Sequence, residues 1–286
     1  MSFKVVVISN KCKLSFKENY LIIDGEKKEH LDYISTIIIN TLEVSITSYL
    51  INELIKRNIN LIFCDEKKNP SSTIHNLYGT GDMYRKLSEQ LNYTLYNKGY
   101  TWGKIVISKL FMQQKLLYFH TGVDTCLMHF INTVEINDAR NCEAFAARTY
   151  FNILFGNDFN RREENEINIA LNYGYAVLLF AVNRVVVSLG YNTTLGIKHC
   201  NKNNDYNFSC DIMEPFRPVV DRIVLENKDH VFDNEYKRKL IKILNESIMY
   251  KGRSYKLENA IEVYFLDVVK CLKTGIDEIG KFDFGC

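Results

Sequence analysis

The sequence predicts an α+β protein in which a small β-rich N-terminal domain precedes a larger all-α domain. Short runs of β-branched or alternating residues dominate the first 65 residues. From about residue 82 onward, apolar residues recur instead at the spacing of amphipathic helices. A polar, proline-containing stretch at 66–73 separates the two patterns. We therefore predict two domains, 1–76 and 77–286.

The N-terminal domain is predicted to be β-sandwich-like, with one helix. Its first three apolar runs are separated by short polar stretches, for which two hairpins are the simplest arrangement. The period becomes helical between residues 45 and 57, where Ser45 or Thr47 is the predicted N-cap. The predicted strands lie at 3–8, 11–16, 20–24, 31–33, 36–40 and 60–65.

The C-terminal domain is predicted to be helical throughout. The linker before it extends to about residue 82 and contains Gly79 and Gly81. Glycines are also predicted to end three helices, because glycine readily adopts the left-handed conformation found at helix C-termini. The predicted helices are 82–98 with its stop at Gly99, 101–120, 123–134, one from the cap Asp138 to Gly156, 163–189, 234–249 and 257–273.

Composition narrows the class of protein. A chain of 286 residues that is 47% hydrophobic can bury a substantial core. The formal net charge of +2 indicates no global attraction to nucleic acid, so any basic surface must be local. Eight cysteines without a Cys-x-x-Cys pair, and an N-terminal apolar run too short for a signal peptide, predict free thiols in a reduced cytoplasm. We expect no membrane span, because Asn183 and Arg184 interrupt the most apolar block.

The most informative stretch lies in the C-terminal third. Two of the three prolines flank Arg217 directly after Glu214, and proline restricts both its own backbone and that of the preceding residue. Asp211 and Glu214 are three residues apart, so a helical turn would bring their carboxylates to one face. Two such charges repel each other unless a cation or a shared proton relieves them. Together with His199, Glu214 is therefore predicted to form part of a metal site.

Glu143 is the candidate for a third metal ligand. It lies among small and apolar residues at helical spacing, and a carboxylate on a packing face is costly to bury unless it is paired or bound to a metal. A structural zinc site remains an alternative, because three cysteines lie near the proposed ligands in sequence, although their spacing matches no zinc finger or ribbon. These cysteines are Cys142, Cys200 and Cys210.

The residues also carry a family resemblance. The segments 146–151 and 168–175, together with His199 followed by 211–218, resemble the signature of the CRISPR-associated spacer-integration nuclease, the universal integrase of CRISPR adaptation. Two further segments, 154–159 and 61–65, are most similar to the branch found in type II systems. The resemblance covers essentially the whole chain, in order and at compatible spacing.

The resemblance implies a bacterial cytoplasmic enzyme and a specific assembly. Members of the family are homodimers, and the apolar strands of domain 1–76 are a natural dimer interface. Two dimers clamp a small partner subunit in a heterohexamer-like complex, and type II systems add accessory subunits. The complex holds a short prespacer duplex, whose 3′-hydroxyls attack the CRISPR array at the repeat boundaries. The metal-binding trio of the family corresponds to Glu143, His199 and Glu214; Ala144 departs from the glycine of many relatives.

The chemistry of phosphoryl transfer agrees with this trio. Transfer to a deoxyribose hydroxyl needs a Lewis acid, and two carboxylates with one imidazole suit Mg²⁺ or Mn²⁺. Since DNA supplies the nucleophile, no protein nucleophile is required. The alternatives are a catalytically inactive DNA-binding scaffold and a metal-dependent nuclease without an integration role.

Supporting roles are predicted for four more residues. Asp211 is expected to orient His199 or to cap the turn. Arg217 is expected to clamp a DNA phosphate, because a planar guanidinium binds phosphate in bidentate fashion; the alternative is a surface ion pair with Asp221. Lys198 and Arg161 are weaker candidates for phosphate contacts, because such charges are often only solvated.

Overall fold

The computed structural model of the protein describes residues 4–66, 70–74, 82–123 and 127–284. The chain forms two compact units, Met1–Gly81 and Asp82–Cys286. The first is rich in strands and the second is mostly helical, which confirms the predicted α+β class. The predicted boundary between residues 76 and 77 and the predicted linker glycines, Gly79 and Gly81, lie outside the described residues.

Two four-stranded sheets make up the first unit, with strand orders β1-β5-β7-β8 and β4-β3-β2-β6. Apolar side chains from both sheets and from helix α1 form one buried cluster, so the sheets enclose a common core. Thr47 caps α1, because its hydroxyl accepts a hydrogen bond of 3.3 Å from the Leu50 amide. The elements are β1 Lys4–Ile8, β2 Cys12–Lys17, β3 Tyr20–Ile23, β4 Lys27–His30, β5 Ile34–Ile39, β6 Val44–Ile46, α1 Ser48–Lys56, β7 Asn60–Cys64 and β8 Pro70–Thr73.

Strand pairing in this unit differs from the prediction at two places. β2 and β3 form a hairpin as expected, but β1 pairs in parallel with β5 rather than with β2. β2 instead has β6 as its other neighbour, in the second sheet. The stretch 66–73, predicted to be a loop, ends in strand β8. Pro70 is tolerated there because it begins a strand at the edge of the sheet.

Helices dominate the second unit, and most of the surface of α3 and α6 is buried. We had predicted that this unit is helical throughout, and this was wrong. It also contains a three-stranded sheet of order β10-β9-β11. The helices are α2 Met83–Asn92, α3 Leu95–Thr121, α4 Leu127–Thr133, α5 Cys142–Phe155, α6 Glu166–Ser188, α7 Asn207–Met213, α8 Arg217–Glu226, α9 Asn234–Ile241 and α10 Leu257–Thr274. The strands are β9 Ser247–Tyr250, β10 Arg253–Lys256 and β11 Phe282–Phe284.

Helix α3 continues through Gly99, where the sequence predicted a stop. The glycine is needed for close packing, since a Cβ atom there would lie 2.9 Å from Ile136 Cγ2. The actual break lies earlier, where the Thr94 hydroxyl caps α3 by accepting a 3.0 Å hydrogen bond from the Asn97 amide. A single 27-residue helix therefore crosses the second unit.

The predicted helix 234–249 ends at Ile241. A 3-10 turn, Lys242–Asn245, follows it and leads into β9. β9 and β10 form a hairpin whose two turn residues, Lys251 and Gly252, both have positive φ. Such turns match the twist of paired strands, which explains why this segment forms a hairpin rather than more helix.

By length and composition, α6 could cross a membrane, so Asn183 and Arg184 do not interrupt its apolar character in the way that we had expected from the sequence. However, 72% of its most apolar window is buried inside the protein. Its polar Asn183 is satisfied within the fold, because Ser209 Oγ donates a 3.0 Å hydrogen bond to its Oδ1. The apolar character of α6 is that of a core helix.

Candidate active site

Glu143 lies in the first turn of α5, and local hydrogen bonds fix the start of that helix. The Asp138 carboxylate accepts hydrogen bonds from the backbone amides of Cys142, at 2.9 Å, and Glu143, at 3.1 Å. The Asp138 side chain therefore caps α5 as the sequence predicted, although the N-cap position itself is Asn141. Because its backbone is held in this way, Glu143 projects from a defined point of the helix N-terminus.

Glu214 begins the short 3-10 turn Glu214–Phe216 between α7 and α8. Pro215 occupies the first turn, where its missing amide hydrogen costs no helical hydrogen bond. The Glu214 side chain is only 4% exposed. A carboxylate this deeply buried requires positive partners.

Lys109, in the middle of α3, provides one of these partners and lies between the two glutamates. Its Nζ atom is 2.6 Å from Glu143 Oε1 and 2.6 Å from Glu214 Oε2. The Lys109 side chain is itself only 11% exposed. Lys109 was not among the predicted site residues; the available signal was a single lysine between the apolar residues 105–107 and 110–112.

Arg217 supplies the second cation, because its Nε atom donates a 2.9 Å hydrogen bond to Glu214 Oε1. Burial by itself would raise the pKa of Glu214, but Arg217 and Lys109 outweigh it and lower that pKa to about 2. Burial likewise would lower the pKa of Lys109, but Glu214 and Glu143 outweigh it and the net shift is upward. Glu214, Lys109 and Arg217 are therefore charged at neutral pH.

His199 lies in the segment between α6 and α7, where the fully buried Asp211 holds it. Its Nδ1 is 2.6 Å from Asp211 Oδ1, and this hydrogen bond raises the pKa of His199. Asp211 also accepts hydrogen bonds from three consecutive backbone amides, those of residues 197–199. Asp211 thus makes the contact expected of a residue that orients the imidazole, and it leaves Nε2 as the ring atom for a metal.

Gly196 permits this arrangement of the His199 loop. A Cβ atom at residue 196 would lie 2.2 Å from the His199 carbonyl oxygen and 2.9 Å from Asp211 Oδ2. No side chain fits at such a distance from backbone, so this position requires glycine. Trp102 packs edge-on against the imidazole at 6.0 Å between ring centroids, and it is 2% exposed, so its ring is not available to stack on DNA bases.

A cavity of about 200 Å³ opens beside Glu214, and both arginines predicted to contact DNA line it. The Arg217 guanidinium lies 4.6 Å from the centroid of the Tyr175 ring, and that of Arg161 lies 5.6 Å from the same ring. Arg161 also donates a 2.9 Å hydrogen bond to Asn172 Oδ1. The cavity therefore presents a cationic wall next to the acidic pair.

Asp221 does not form the surface ion pair with Arg217 that was the alternative. It is 1% exposed, and its carboxylate accepts hydrogen bonds from the hydroxyls of Tyr150, at 2.7 Å, and Tyr175. Lys198 directly precedes His199 but does not line this cavity. Its Nζ donates hydrogen bonds to the backbone and side-chain oxygens of Asn137, at 3.1 and 3.0 Å.

The buried Asp221 predicts a pH-dependent contribution to stability. Burial raises its pKa to about 6, against the hydrogen bonds from the two tyrosines. Because the ordinary value is 3.8, the folded protein holds a proton between about pH 4 and pH 6 that the unfolded chain has lost, so stability falls as pH rises through this window. The wild type should lose about 2 kcal/mol more than Asp221→Asn between pH 4 and pH 7. Urea unfolding at several pH values tests this, and parallel profiles would contradict it.

The ligand trio is brought together only in part. Glu143 and Glu214 share one ammonium group, and His199 is close enough to Glu214 for each to shift the pKa of the other. Within the described ranges, no three His, Cys, Asp or Glu side chains are placed to hold a metal ion as they stand. The donor set still fits a divalent cation, because two carboxylates already bind one cation jointly and the imidazole is oriented through Nδ1.

Comparisons with known proteins identify the family. A family model described as CRISPR associated protein Cas1 matches residues 5–249. A CRISPR-associated endonuclease Cas1 from Neisseria meningitidis serogroup C (strain 8013) is 31% identical over 277 residues, covering 92% of this chain and 90% of that protein.

Solved structures share the fold. A casposase bound to integration product matches with a TM-score of 0.77 at 18% identity, covering 98% of this chain and 92% of that chain. A Cas1 protein from Thermotoga maritima matches with a TM-score of 0.73 at 15% identity, covering 96% of this chain and 97% of that chain. A chain of a Cas6-RT-Cas1–Cas2 complex has a TM-score of 0.70 at 16% identity, covering 97% of this chain and 36% of that longer one. Given the extent of the family match and the relative of 31% identity, the chain belongs to the CRISPR-associated Cas1 family.

Proposed function

We propose that this protein is a metal-dependent DNA integrase and endonuclease of CRISPR adaptation. It joins the 3′-hydroxyl ends of short prespacer DNA into the CRISPR array at the repeat boundaries by transesterification, and in the reverse or hydrolytic direction it cuts branched DNA. The observation that carries the proposal is the placement of Glu143 and Glu214 on one shared cation, beside a cavity with two arginines. Carboxylates that share a cation next to a phosphate-binding wall suit phosphoryl transfer.

Each side chain has a defined part in this chemistry. Glu143, His199 and Glu214 would hold Mg²⁺ or Mn²⁺, and the bound ion supplies the Lewis acid that polarises the scissile phosphate and stabilises the departing oxygen. Asp211 keeps the imidazole in one orientation and one tautomer through Nδ1. The attacking oxygen belongs to DNA, so the protein's task is to position and to neutralise charge.

The arginines are assigned to substrate binding. Arg217 lies between Glu214 and the Tyr175 ring, and Arg161 lies over the same ring, so both guanidinium groups have fixed positions on the cavity wall. Planar guanidinium groups bind phosphate oxygens in bidentate fashion. Lys198 would add a phosphate contact from the His199 loop if it released Asn137.

We also propose a homodimer built through the β-rich unit, with two dimers held by a small partner subunit in a heterohexamer-like complex and with type II accessory subunits as further partners. The fold match to a chain from a Cas6-RT-Cas1–Cas2 complex supports a partner protein, and the match to a casposase bound to integration product supports DNA binding. The complex would act in the bacterial cytoplasm. A monomeric mass in solution at micromolar concentration would contradict the dimer.

A strand-transfer assay tests the function. A short duplex with free 3′-hydroxyls is incubated with a supercoiled plasmid that carries the repeat, with Mg²⁺, Mn²⁺ or EDTA, and joined products are resolved on a gel. Glu143→Ala, His199→Ala and Glu214→Ala should each lower joining at least about 100-fold, since even an outer partner of a metal ligand costs 10–100-fold. Glu164→Ala and His230→Ala, which change an exposed acid and an exposed histidine, are the matched controls.

Three results would contradict the proposal. Joining that persists in EDTA or in all three variants would exclude metal-dependent transfer at this site. DNA binding without joining or cutting, unaffected by the three changes, would identify a catalytically inactive scaffold. Cutting without joining, under all conditions, would identify a nuclease with no integration role.

A further inference from the structure

The acidic pair of the site already carries a full set of counter-charges. The ammonium of Lys109 contacts Glu143 Oε1 and Glu214 Oε2, both at 2.6 Å, while Arg217 binds the remaining oxygen of Glu214 at 2.9 Å. Two carboxylates and two cations therefore form a cluster without net charge. Lys109 and Glu214 are nearly excluded from solvent, with side chains 11% and 4% exposed, so water screens these interactions little.

A divalent cation that binds Glu143 and Glu214 must compete with Lys109. Such an ion approaches carboxylate oxygens to about 2 Å and demands its own coordination geometry, which cannot coexist with an ammonium that lies 2.6 Å from the same two oxygens. If the ammonium stayed in place, the divalent cation, Lys109 and Arg217 would also repel one another within a small buried volume. The ion can enter only if the ammonium leaves.

We propose that Lys109 is the resident counter-ion of the Glu143–Glu214 pair, and that a divalent cation binds tightly only when the Lys109 ammonium moves to a DNA phosphate. The inference rests on the proposed function, in that it takes these two acids to be metal ligands. It makes the uptake of metal and the binding of DNA mutually dependent. By thermodynamic linkage, bound metal then raises the affinity for DNA by the same factor by which bound DNA raises the affinity for metal.

The surroundings of Lys109 provide a destination for the displaced ammonium. The cavity of about 200 Å³ beside Glu214 is lined by Lys109 itself and by Arg161 and Arg217, so a phosphate bound there would meet three cations. Gln113, one helical turn after Lys109 on α3, lines the same cavity and is 2% exposed. Its Oε1 has no hydrogen-bond donor in the described part of the chain, so it can accept one from the moving ammonium. The flexible four-carbon stem of lysine allows such a movement.

Binding of Mn²⁺ alone to the DNA-free protein tests the proposal, with free Mn²⁺ measured by electron paramagnetic resonance. Lys109→Met should bind Mn²⁺ at least 10-fold more tightly than the wild type, and Lys109→Gln should do the same while retaining a hydrogen-bond donor. Lys104→Met is the matched control, because Lys104 lies on the same helix and pairs with the exposed Glu278 at 3.0 Å. Its Mn²⁺ affinity should equal that of the wild type.

A second measurement addresses the coupling to DNA. The affinity for a short duplex is measured once with Mn²⁺ and once with EDTA. The ratio of these two affinities should be at least 10-fold larger for the wild type than for either Lys109 variant. Circular dichroism establishes that each variant is folded, and Lys109→Gln replaces Lys109→Met if the latter is not.

The outcomes separate this inference from the proposed function. If both Lys109 variants bind Mn²⁺ no more tightly than the wild type, while Glu214→Gln weakens binding, the counter-ion role is overturned and the metal site stands. If Glu214→Gln leaves Mn²⁺ binding unchanged, the metal site itself is overturned, and the inference with it. Tighter Mn²⁺ binding in both Lys109 variants, but not in Lys104→Met, supports the inference.

Discussion

Glu214→Gln is expected to abolish the joining of DNA ends and to destabilise the folded protein by about 3 kcal/mol or more. The substitution keeps the volume of the side chain but removes its charge. Lys109 and Arg217, which bind the two oxygens of Glu214 at 2.6 and 2.9 Å, would then lie buried against a neutral amide. Removing one partner of a buried pair is costly because it leaves an uncompensated charge. Urea unfolding and the strand-transfer assay measure the two effects.

A double variant separates stability from chemistry. In Glu214→Gln/Lys109→Met, one of the stranded cations is also removed, so part of the lost stability should return. Joining should remain absent, because a metal ligand is still missing. As a matched control, Asp283→Asn breaks the exposed Lys115–Asp283 pair and should cost less than about 1 kcal/mol. If the double variant is as unstable as the sum of its single changes, the two residues do not interact as described.

Asp211→Asn is expected to have the second largest effect. Asp211 is completely buried, and its two oxygens accept hydrogen bonds from the amides of residues 197–199 and from the His199 ring. An amide has one acceptor oxygen, so its NH₂ group would face N–H donors at the other position. We expect a loss of about 3 kcal/mol, because buried donors lose their partner. We expect joining to fall about 10–100-fold, because the imidazole loses the group that orients it.

Metal binding distinguishes this positioning effect from general destabilisation. At a temperature where Asp211→Asn is still folded, its affinity for Mn²⁺ should be about 10–100-fold lower than that of the wild type. Asp205→Asn is the control, because Asp205 is an exposed acid of the same segment. An Asp211→Asn protein that is unstable but binds Mn²⁺ normally would show that Asp211 supports only the loop.

Local patterns predicted most elements of this fold, and the errors have identifiable causes. Helix α10 was placed within one residue of its observed end, because its apolar face is a local signal. Gly99 was misread as a helix stop, since sequence does not reveal that Ile136 packs against it. The partner of β1 was also wrong, because parallel pairing with β5 joins strands that are distant in sequence.

The candidate site divides in the same way. Spacing and residue type pointed to Glu143, His199, Asp211 and Glu214, and Asp138 was recognised as a cap from its place before α5. Nothing in the local sequence pointed to Gly196, and the signal for Lys109, a single lysine in an apolar run, did not reveal its partners. Gly196 is required by the His199 carbonyl across the loop, and Lys109 pairs with Glu143 farther along the chain. Only folding brings these atoms close together.

By itself, the sequence determined the order of a β-rich and a helical unit, the ends of many helices and the chemical kinds of group at the site. These follow from periodicity, capping and side-chain chemistry, which act over a few residues. Only the tertiary structure decided which strands pair, why α3 carries glycines and how the acids are neutralised. The physical reason is that the charge balance of a buried carboxylate depends on whichever cation packing brings to it, and here packing of α3 brings Lys109.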